Sequence, residues 1–323
     1  MTTNHQDLDT RHIMYRDRKI ALVVPCYNEE VAIPLVIRDF RQALPEMDIY
    51  VFNNNSADKT REVSLELGVT VIDVNLPGKG NVVRRMFADV EADIYVMVDG
   101  DATYDAASVH KLIDKVIDEG VDMVVGCRVV TEEISRAAYR NGHQLGNKML
   151  TGSVQKIFGG QFTDMLSGYR AFSRRYAKSF PAISQGFEIE TELTVHALEL
   201  RMPYAEVATP YGSRPEGSSS KLSTYRDGWR ILKTIIKLYV HERPMQFYGL
   251  TALFLCMLSV LLALPLLLTF IQTGQVPRFP TAVLSASIMI CALLSCVTGL
   301  ILDNVTKGRH ESKRLSYLAI PKT

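Results

Sequence analysis

The sequence predicts an α/β protein: a mostly parallel sheet with helices on both faces, followed by a membrane-interface helix and a two-helix transmembrane hairpin. Three observations carry this. From Lys19 to about Arg128, short apolar runs alternate with stretches of helical periodicity, the pattern of strand–helix–strand units. Several of those runs end in polar clusters that would share one edge of the sheet, where open α/β sheets bind ligands. Past Met245 the composition switches to two long apolar runs.

The elements follow in order. Lys19 to Pro25 is a first strand, opening into Cys26-Tyr27-Asn28-Glu29-Glu30. A helix runs from about Val31 to Leu44, with apolar residues at helical spacing. Asp48 to Asn53 is a second strand, ending in the turn-and-cap cluster Asn53-Asn54-Asn55-Ser56-Ala57-Asp58. A helix from about Lys59 to Leu67 and a third strand, Val69 to Val74, come next. Pro77-Gly78-Lys79-Gly80 is a tight turn before a helix from Asn81 to Ala92. It has neither the spacing nor the Ser/Thr of a Walker loop, and no GxGxxG follows the first strand.

The fourth strand begins at Ile94 and ends in Asp99-Gly100-Asp101. An uninterrupted apolar run suits a strand buried on both faces. Two carboxylates this close repel each other unless a cation sits between them. Oxygen ligands with a glycine in the turn point to Mg²⁺ or Mn²⁺ shared with substrate phosphates. The plainer alternative is a polar turn capping the next helix. With Tyr27 and Glu29 at the end of the first strand and Asn53 to Asn55 at the end of the second, three polar endings on one rim point to a nucleotide site.

The chain has 323 residues and a net charge of +1 from 36 basic and 35 acidic residues, which argues against a nucleic-acid binder. None of its five cysteines forms a CxxC pair, so no disulfide framework or zinc site is expected. Met1 to Lys19 is polar, without the apolar region of a signal peptide. Tyr225 to His241 places Trp229, Leu232, Ile235, Ile236 and Tyr239 on one side and Arg230, Lys233 and Lys237 on another, as in an interfacial amphipathic helix. Phe247 to Ile271 and Pro280 to Leu302 are each long enough to cross a hydrocarbon core of roughly 30 Å. Basic residues flank the outer ends of both runs, and the loop between them carries only Arg278, so both termini are expected on the cytoplasmic side. The expected division is a tail over 1–18, a catalytic domain over 19–223, the interfacial helix over 224–245, the hairpin over 246–303 and a basic tail over 304–323.

The series Pro25-Cys26-Tyr27-Asn28-Glu29-Glu30, the Asn-rich turn ending Ser56-Ala57-Asp58, Gly78-Lys79-Gly80, Asp99-Gly100-Asp101, Gly126-Cys127-Arg128, Asp164-Met-Leu-Ser-Gly-Tyr-Arg170 and the Arg214 to Lys221 run resembles, in order, the motifs of family-2 glycosyltransferases of GT-A fold. The Arg214 to Lys221 run, with the trailing hairpin, resembles the polyprenyl-phosphate glycosyltransferases, the group containing dolichol-phosphate mannose synthase. The resemblance implies inverting transfer of a hexose or N-acetylhexosamine from a nucleotide diphosphate sugar to polyprenyl (undecaprenyl) phosphate, giving a β-linked product for cell-envelope glycans, by a homo-oligomer in the plasma membrane. It implies a catalytic set of Asp99, Asp101, Arg128 and Arg214, with Mg²⁺ or Mn²⁺ held by Asp99, Asp101 and Thr103. Pro25, Tyr27, Glu29, Asn54, Lys79, Asp99, Gly100, Asp164 and Lys221 are the expected nucleotide-sugar ligands.

Three departures bear on that reading. Asn53-Asn54 replaces the family's usual Asp-Asp; an Asn carbonyl accepts one base N–H, which favours uridine over guanine with its donor pair. Thr103 stands where the mannose synthases often carry Gln. The Gln-x-x-Arg-Trp signature of processive synthases is absent, since Arg226-Asp-Gly-Trp229 does not match it.

A phosphate acceptor is already anionic at pH 7 and needs cations rather than a base. Arg128, Arg140 and Asn147 are the candidates for holding it, while Arg136 and Lys148 read better as a solvated face. Arg214 and Lys221, in a Ser/Gly-rich loop, are placed to close over the diphosphate. Asp164, read as following a short strand, either holds a sugar hydroxyl or orients Arg170. Glu188 and Glu190 open a helix, where acids are favoured by the dipole, and either reading, sugar ligand or helix start, stays open. The alternatives are a GDP-mannose-dependent synthase, a transferase to a diacylglycerol or ceramide, and a catalytically silent scaffold.

Overall fold

The structure is a computed structural model that describes residues 14–129, 143–218 and 224–322. Arg136, Arg140 and Lys221 lie outside the described residues. The elements run β1 (Ile20–Cys26), α1 (Ile33–Ala43), β2 (Asp48–Asn53), α2 (Thr60–Glu66), β3 (Thr70–Asp73), α3 (Lys79–Asp89), β4 (Ile94–Met97), α4 (Val109–Asp118), β5 (Met123–Val129), α5 (His143–Phe158), β6 (Arg170–Ser173), α6 (Arg174–Ser179), α7 (Ile189–Glu199), β7 (Tyr204–Pro210), α8 (Thr224–Glu242), α9 (Pro244–Thr273) and α10 (Phe279–Ala319). They form two compact units: one up to Leu232 together with the residues from Arg314 onward, the other Lys233–Lys313.

The first unit holds a seven-stranded sheet of order β3-β2-β1-β4-β6-β5-β7. Its first half is parallel, and the expected mostly parallel architecture is present. One strand departs from it: β6 runs antiparallel between β4 and β5, while β5 and β7 are parallel. Asp164 was expected just after a short strand. It follows α5 instead, and the strand comes after it, at Arg170. The four-residue run that forms β6 is too short to show a strand period against its helical surroundings.

The alternation of β1 explains how it is covered on both faces. Ile20, Leu22 and Val24 share a core with Ile33, Ile37 and Phe40 of α1 and Leu112, Ile113 and Val116 of α4. On β4, Tyr95 points away from Ile94 and Val96 and meets Phe87 of α3 edge-on, with ring centroids 5.7 Å apart. Phe87 also meets Phe172 at 5.4 Å, and Phe172 stacks on Tyr176 of α6 at 4.8 Å. Truncating Phe87 in such a core costs on the order of 3–5 kcal/mol. The unit also takes in the last residues of α10. Tyr317 donates to Asp122 Oδ2 at 2.8 Å, and Arg175 Nε donates to the Ile320 carbonyl at 2.6 Å.

The second unit contains two helices long and apolar enough to cross a membrane, α9 and α10. α9 ends at Gly274, whose φ of 71° is the left-handed cap that glycine supplies without strain. Along α10 the buried residues are Ser285, Ala292, Gly299 and Thr306, one every seventh position. A side chain at Gly299 would come within 3.0 Å of Tyr248 Cβ, so the stripe of small residues lets the helices close together. Ser259 donates to the Ser285 carbonyl at 2.7 Å, a polar tie across the pair. At the far end, Thr306 and Arg309 donate to the His241 carbonyl, and His310 Nε2 lies 2.7 Å from Glu242. Positive neighbours outweigh the cost of burial there and hold Glu242 below the usual carboxylate range. On α8 the buried apolar side chains among those described are Ile231 and Ile235, while Trp229 is 67% exposed.

Candidate active site

The polar ends of β1, β2 and β4 meet at one rim, as the sequence implies. Asp99 and Asp101 leave β4 there, and two glycines make their placement possible. A side chain at Gly100 would stand 2.7 Å from Cys26 Sγ, and one at Gly168 would stand 2.4 Å from Asp99 Oδ2. Both positions need the missing Cβ. Between Asp101 and Thr103, Ala102 takes a φ of 56°, a left-handed conformation that costs a non-glycine residue about 1 kcal/mol or more. The strain turns Thr103 back so that its backbone N–H and its hydroxyl donate to Asp101 Oδ1, at 3.2 and 2.6 Å.

Each aspartate faces a cation. Asp99 Oδ1 is 2.5 Å from Lys79 Nζ, and Lys79 is also 2.5 Å from Glu190 Oε1. Burial alone would lower the Lys79 pKa, but the charges of Asp99 and Glu190 outweigh it and push it up. Asp101 Oδ2 is 2.5 Å from Arg214 Nη2. Burial raises the Asp101 pKa, with the Asp99 charge adding to it; Arg214 and Thr103 oppose the rise. Glu190 is raised chiefly by burial, and its Oε2 is buried with no hydrogen-bond partner among the described residues. The dipole alone does not explain a glutamate here, since a helix start leaves such a side chain in solvent.

Glu29 is buried. Its Oε1 lies 3.3 Å from Arg214 Nη1, and its Oε2 accepts from the Ser218 hydroxyl at 2.8 Å. Pro25 and the half-exposed Tyr27 precede it in the chain, at the end of β1. The Asn-rich turn proves largely a scaffold. Asn28 N donates to Ser56 Oγ, Glu30 N to Asp58 Oδ2, and Ala57 N to Asn28 Oδ1, which ties the ends of β1 and β2 together. Asn54 was expected at the nucleobase. Its Nδ2 donates to the Val74 and Leu76 carbonyls, and its Oδ1 accepts from Gly78 N at 2.7 Å. It thereby fixes the turn that presents Lys79. That turn needs its glycines because the Ser184–Gln185 backbone packs directly on Gly78 and Gly80. Glu192 holds the same backbone by accepting from Ile183 N and Ser184 N.

Arg128 and Asp164 form a two-pronged pair: Nε and Nη2 each donate at 2.7 Å. Of the two roles open for Asp164, orienting Arg170 is not the one built. Arg170 is fully buried and donates to the Ser167, Met165 and Glu190 carbonyls and to Thr194 Oγ1. Arg128 also lies 5.6 Å from the Tyr211 ring, and Gly212 N donates to the Thr103 carbonyl at 2.7 Å. The base of the Arg214 loop is thus anchored to the Asp101 turn. Asn147 lies on α5, separate in sequence from this rim. Glu206 escaped the sequence reading. It accepts from Thr163 N and Oγ1 and from Asp164 N, and an isolated glutamate in a strand carries no motif that marks such a role.

The residues fit a divalent cation. Asp99 and Asp101 supply oxygen ligands on either side of Gly100, and Gly168, without a Cβ, leaves the Asp99 carboxylate its room.

Comparison with known proteins agrees with this geometry. Residues 21–180 match the model of glycosyl transferase family 2. The chain is 33% identical over 231 residues to glycosyltransferase AglJ of Haloferax volcanii, covering 71% of this chain and 75% of that one. It is 27% identical over 226 residues to the dolichyl-phosphate hexose transferase of the same organism, covering 69% and 95%. Glucosyl-3-phosphoglycerate synthase from Mycobacterium tuberculosis, solved with Mn²⁺, uridine-diphosphate-glucose and phosphoglyceric acid, superposes with a TM-score of 0.57 at 22% identity, over 69% of this chain and 80% of that one. The sheet with its acidic rim is therefore a GT-A fold, and the chain belongs to glycosyltransferase family 2, an enzyme family.

Proposed function

We propose that this glycosyltransferase transfers a hexose or N-acetylhexosamine from a UDP-sugar to polyprenyl phosphate, with inversion, at the cytoplasmic face of a membrane. The observation that carries the reading is the paired-charge rim itself: Asp99 with Lys79 and Asp101 with Arg214, each at 2.5 Å, set beside the Arg128–Asp164 pair. Two cations and two acids at one strand end suit a metal-bound diphosphate, and a further arginine suits a second phosphate. The two apolar helices and the relative named for dolichyl phosphate favour a lipid acceptor. UDP is favoured by the UDP-glucose bound in the structural neighbour.

In this mechanism Asp99 and Asp101, with Thr103 orienting the latter, would hold Mg²⁺ or Mn²⁺, and the bound ion would supply positive charge to the leaving diphosphate. Arg214 adds a second positive charge to the same diphosphate. Glu190 Oε2 takes a sugar hydroxyl, and Lys79 keeps that carboxylate in place. Arg128, oriented by Asp164, holds the lipid phosphate in line with the anomeric carbon. A phosphate oxygen forms the new bond to that carbon as its bond to the UDP oxygen breaks. The acceptor is already ionised, so no base is needed to remove a proton. The division into a catalytic domain over 19–223, an interfacial helix over 224–245, a hairpin over 246–303 and a tail over 304–323 belongs to this reading, as does a homo-oligomer.

The test combines purified protein, Mn²⁺ and undecaprenyl phosphate with labelled UDP-glucose, UDP-N-acetylglucosamine or GDP-mannose. Label enters the lipid phase from a UDP-sugar, and Asp101→Ala abolishes it. Transfer from GDP-mannose alone would move the reading to a mannose synthase, and no transfer from any donor would sink it.

A further inference from the structure

The two cations at the rim are held differently. Lys79 is clamped between Asp99 and Glu190 and its side chain is only 9% exposed. Arg214 comes from the irregular segment after β7 and its side chain is 25% exposed. Its Nη2 is 2.5 Å from Asp101 Oδ2. A divalent cation bonded to that oxygen stands about 2.0–2.2 Å from it, so it claims the space the guanidinium fills. Glu29 differs again: it touches the same segment twice, at Arg214 Nη1 and at the Ser218 hydroxyl. Asp101 and Glu29 are both nearly inaccessible, 5% and 6% exposed, and a buried carboxylate without a counter-charge is strongly unfavourable.

We propose that Arg214 and the divalent cation are alternative partners of Asp101, and that Glu29 is the positioning residue that keeps Arg214 at the rim while they exchange. This rests on the metal–diphosphate reading of the site. A cation arriving alone has to displace Arg214 and costs the guanidinium its Asp101 partner. A cation arriving with a nucleotide diphosphate brings anionic oxygens that give Arg214 a new partner. Metal and nucleotide then bind with positive coupling, and that coupling runs through Arg214. The free enzyme is thereby protected from loading metal without donor, and Asp101 is never left buried and uncompensated.

The test is Mn²⁺ binding to the full-length protein, followed by the electron paramagnetic resonance signal of free Mn²⁺, with and without UDP. Wild type binds Mn²⁺ weakly alone and more tightly with UDP. Arg214→Ala and Arg214→Gln bind Mn²⁺ without UDP about tenfold more tightly than wild type, within the range of ordinary site–site coupling, and UDP then tightens it little. Arg214→Lys keeps a competing cation and the wild-type pattern. Glu29→Gln, which weakens the hold on Arg214, gives a smaller gain. If both neutral Arg214 variants bind free Mn²⁺ no more tightly than wild type, or if UDP tightens binding as much as in wild type, the exchange is wrong and the proposed function stands. If Asp101→Ala keeps full Mn²⁺ affinity with and without UDP, the metal site itself is misplaced and both readings fall.

Discussion

Arg128 meets Asp164 through two hydrogen bonds of 2.7 Å, its Nε to one carboxylate oxygen and its Nη2 to the other. That fork fixes the plane of the guanidinium, which lies 5.6 Å from the Tyr211 ring. A lysine keeps the charge but has no plane to fix. Arg128→Lys is expected to lower kcat/KM for the lipid-phosphate acceptor about 10–100-fold, the scale of one charged hydrogen bond, with the donor KM little changed. Steady-state kinetics with each substrate varied in turn makes the check; equal losses for both substrates would argue against an acceptor role.

Glu190 offers a different separation. Its Oε1 holds Lys79, and its Oε2 is buried with no hydrogen-bond partner among the described residues. Glu190→Gln keeps the shape and removes the charge. With Glu190 as a sugar ligand, the expected result is a fall of about 10–100-fold in kcat/KM for the UDP-sugar with the inhibition constant for UDP unchanged. Comparable weakening of UDP would show that Glu190 acts by keeping Lys79 on the diphosphate.

Gly168 is a purely steric test. A Cβ there would lie 2.4 Å from Asp99 Oδ2, so Gly168→Ala forces the carboxylate aside. Mn²⁺ affinity and turnover should both fall at least about tenfold, while the melting temperature drops by a few degrees at most. A fully active, metal-binding variant would mean that Asp99 does not need its observed position.

The acidity of Asp101 gives a pH prediction. Burial, with Asp99 next, raises its pKa above the ordinary carboxylate value. In metal-free protein the ionised form is the disfavoured one, so Asp101 contributes a stability gain as pH falls through its folded pKa toward its unfolded value. Metal binding has the opposite sign, because the ligand must be ionised. The stabilisation by Mn²⁺ with UDP should be full at neutral pH and vanish on acidification, starting above the ordinary aspartate range. Thermal melts with and without Mn²⁺ across pH 4 to 8 measure it. A Mn²⁺ effect that persists unchanged down to pH 4 would contradict the raised value.

What the sequence disclosed and what it hid divide along physical lines. Strands buried on both faces, such as Ile94–Met97, read directly as apolar runs, and the acids that follow them fall at the rim because strand direction puts them there. The antiparallel Arg170–Ser173 did not, because four residues carry too little periodicity and pairing partners lie far away in the chain. The motif residues can be named from the sequence, but their hydrogen-bond partners cannot. The Asn54 side chain spends its carbonyl on Gly78, and Asp164 serves Arg128 rather than Arg170. Such pairings depend on contacts across tens of residues, and residue type alone leaves them undetermined. Glu206 and Glu192, which hold backbone N–H groups in place, belong to no local pattern and became visible only through their hydrogen bonds.

The central claim is that a phosphate on a lipid is the acceptor. The most direct measurement offers purified protein, Mn²⁺ and its preferred labelled nucleotide sugar a choice of polyprenyl phosphate, the corresponding polyprenol and diacylglycerol in the same vesicles. Labelled product is expected from polyprenyl phosphate alone, and is lost in Asp101→Ala. Transfer to polyprenol or diacylglycerol at a comparable rate would contradict it.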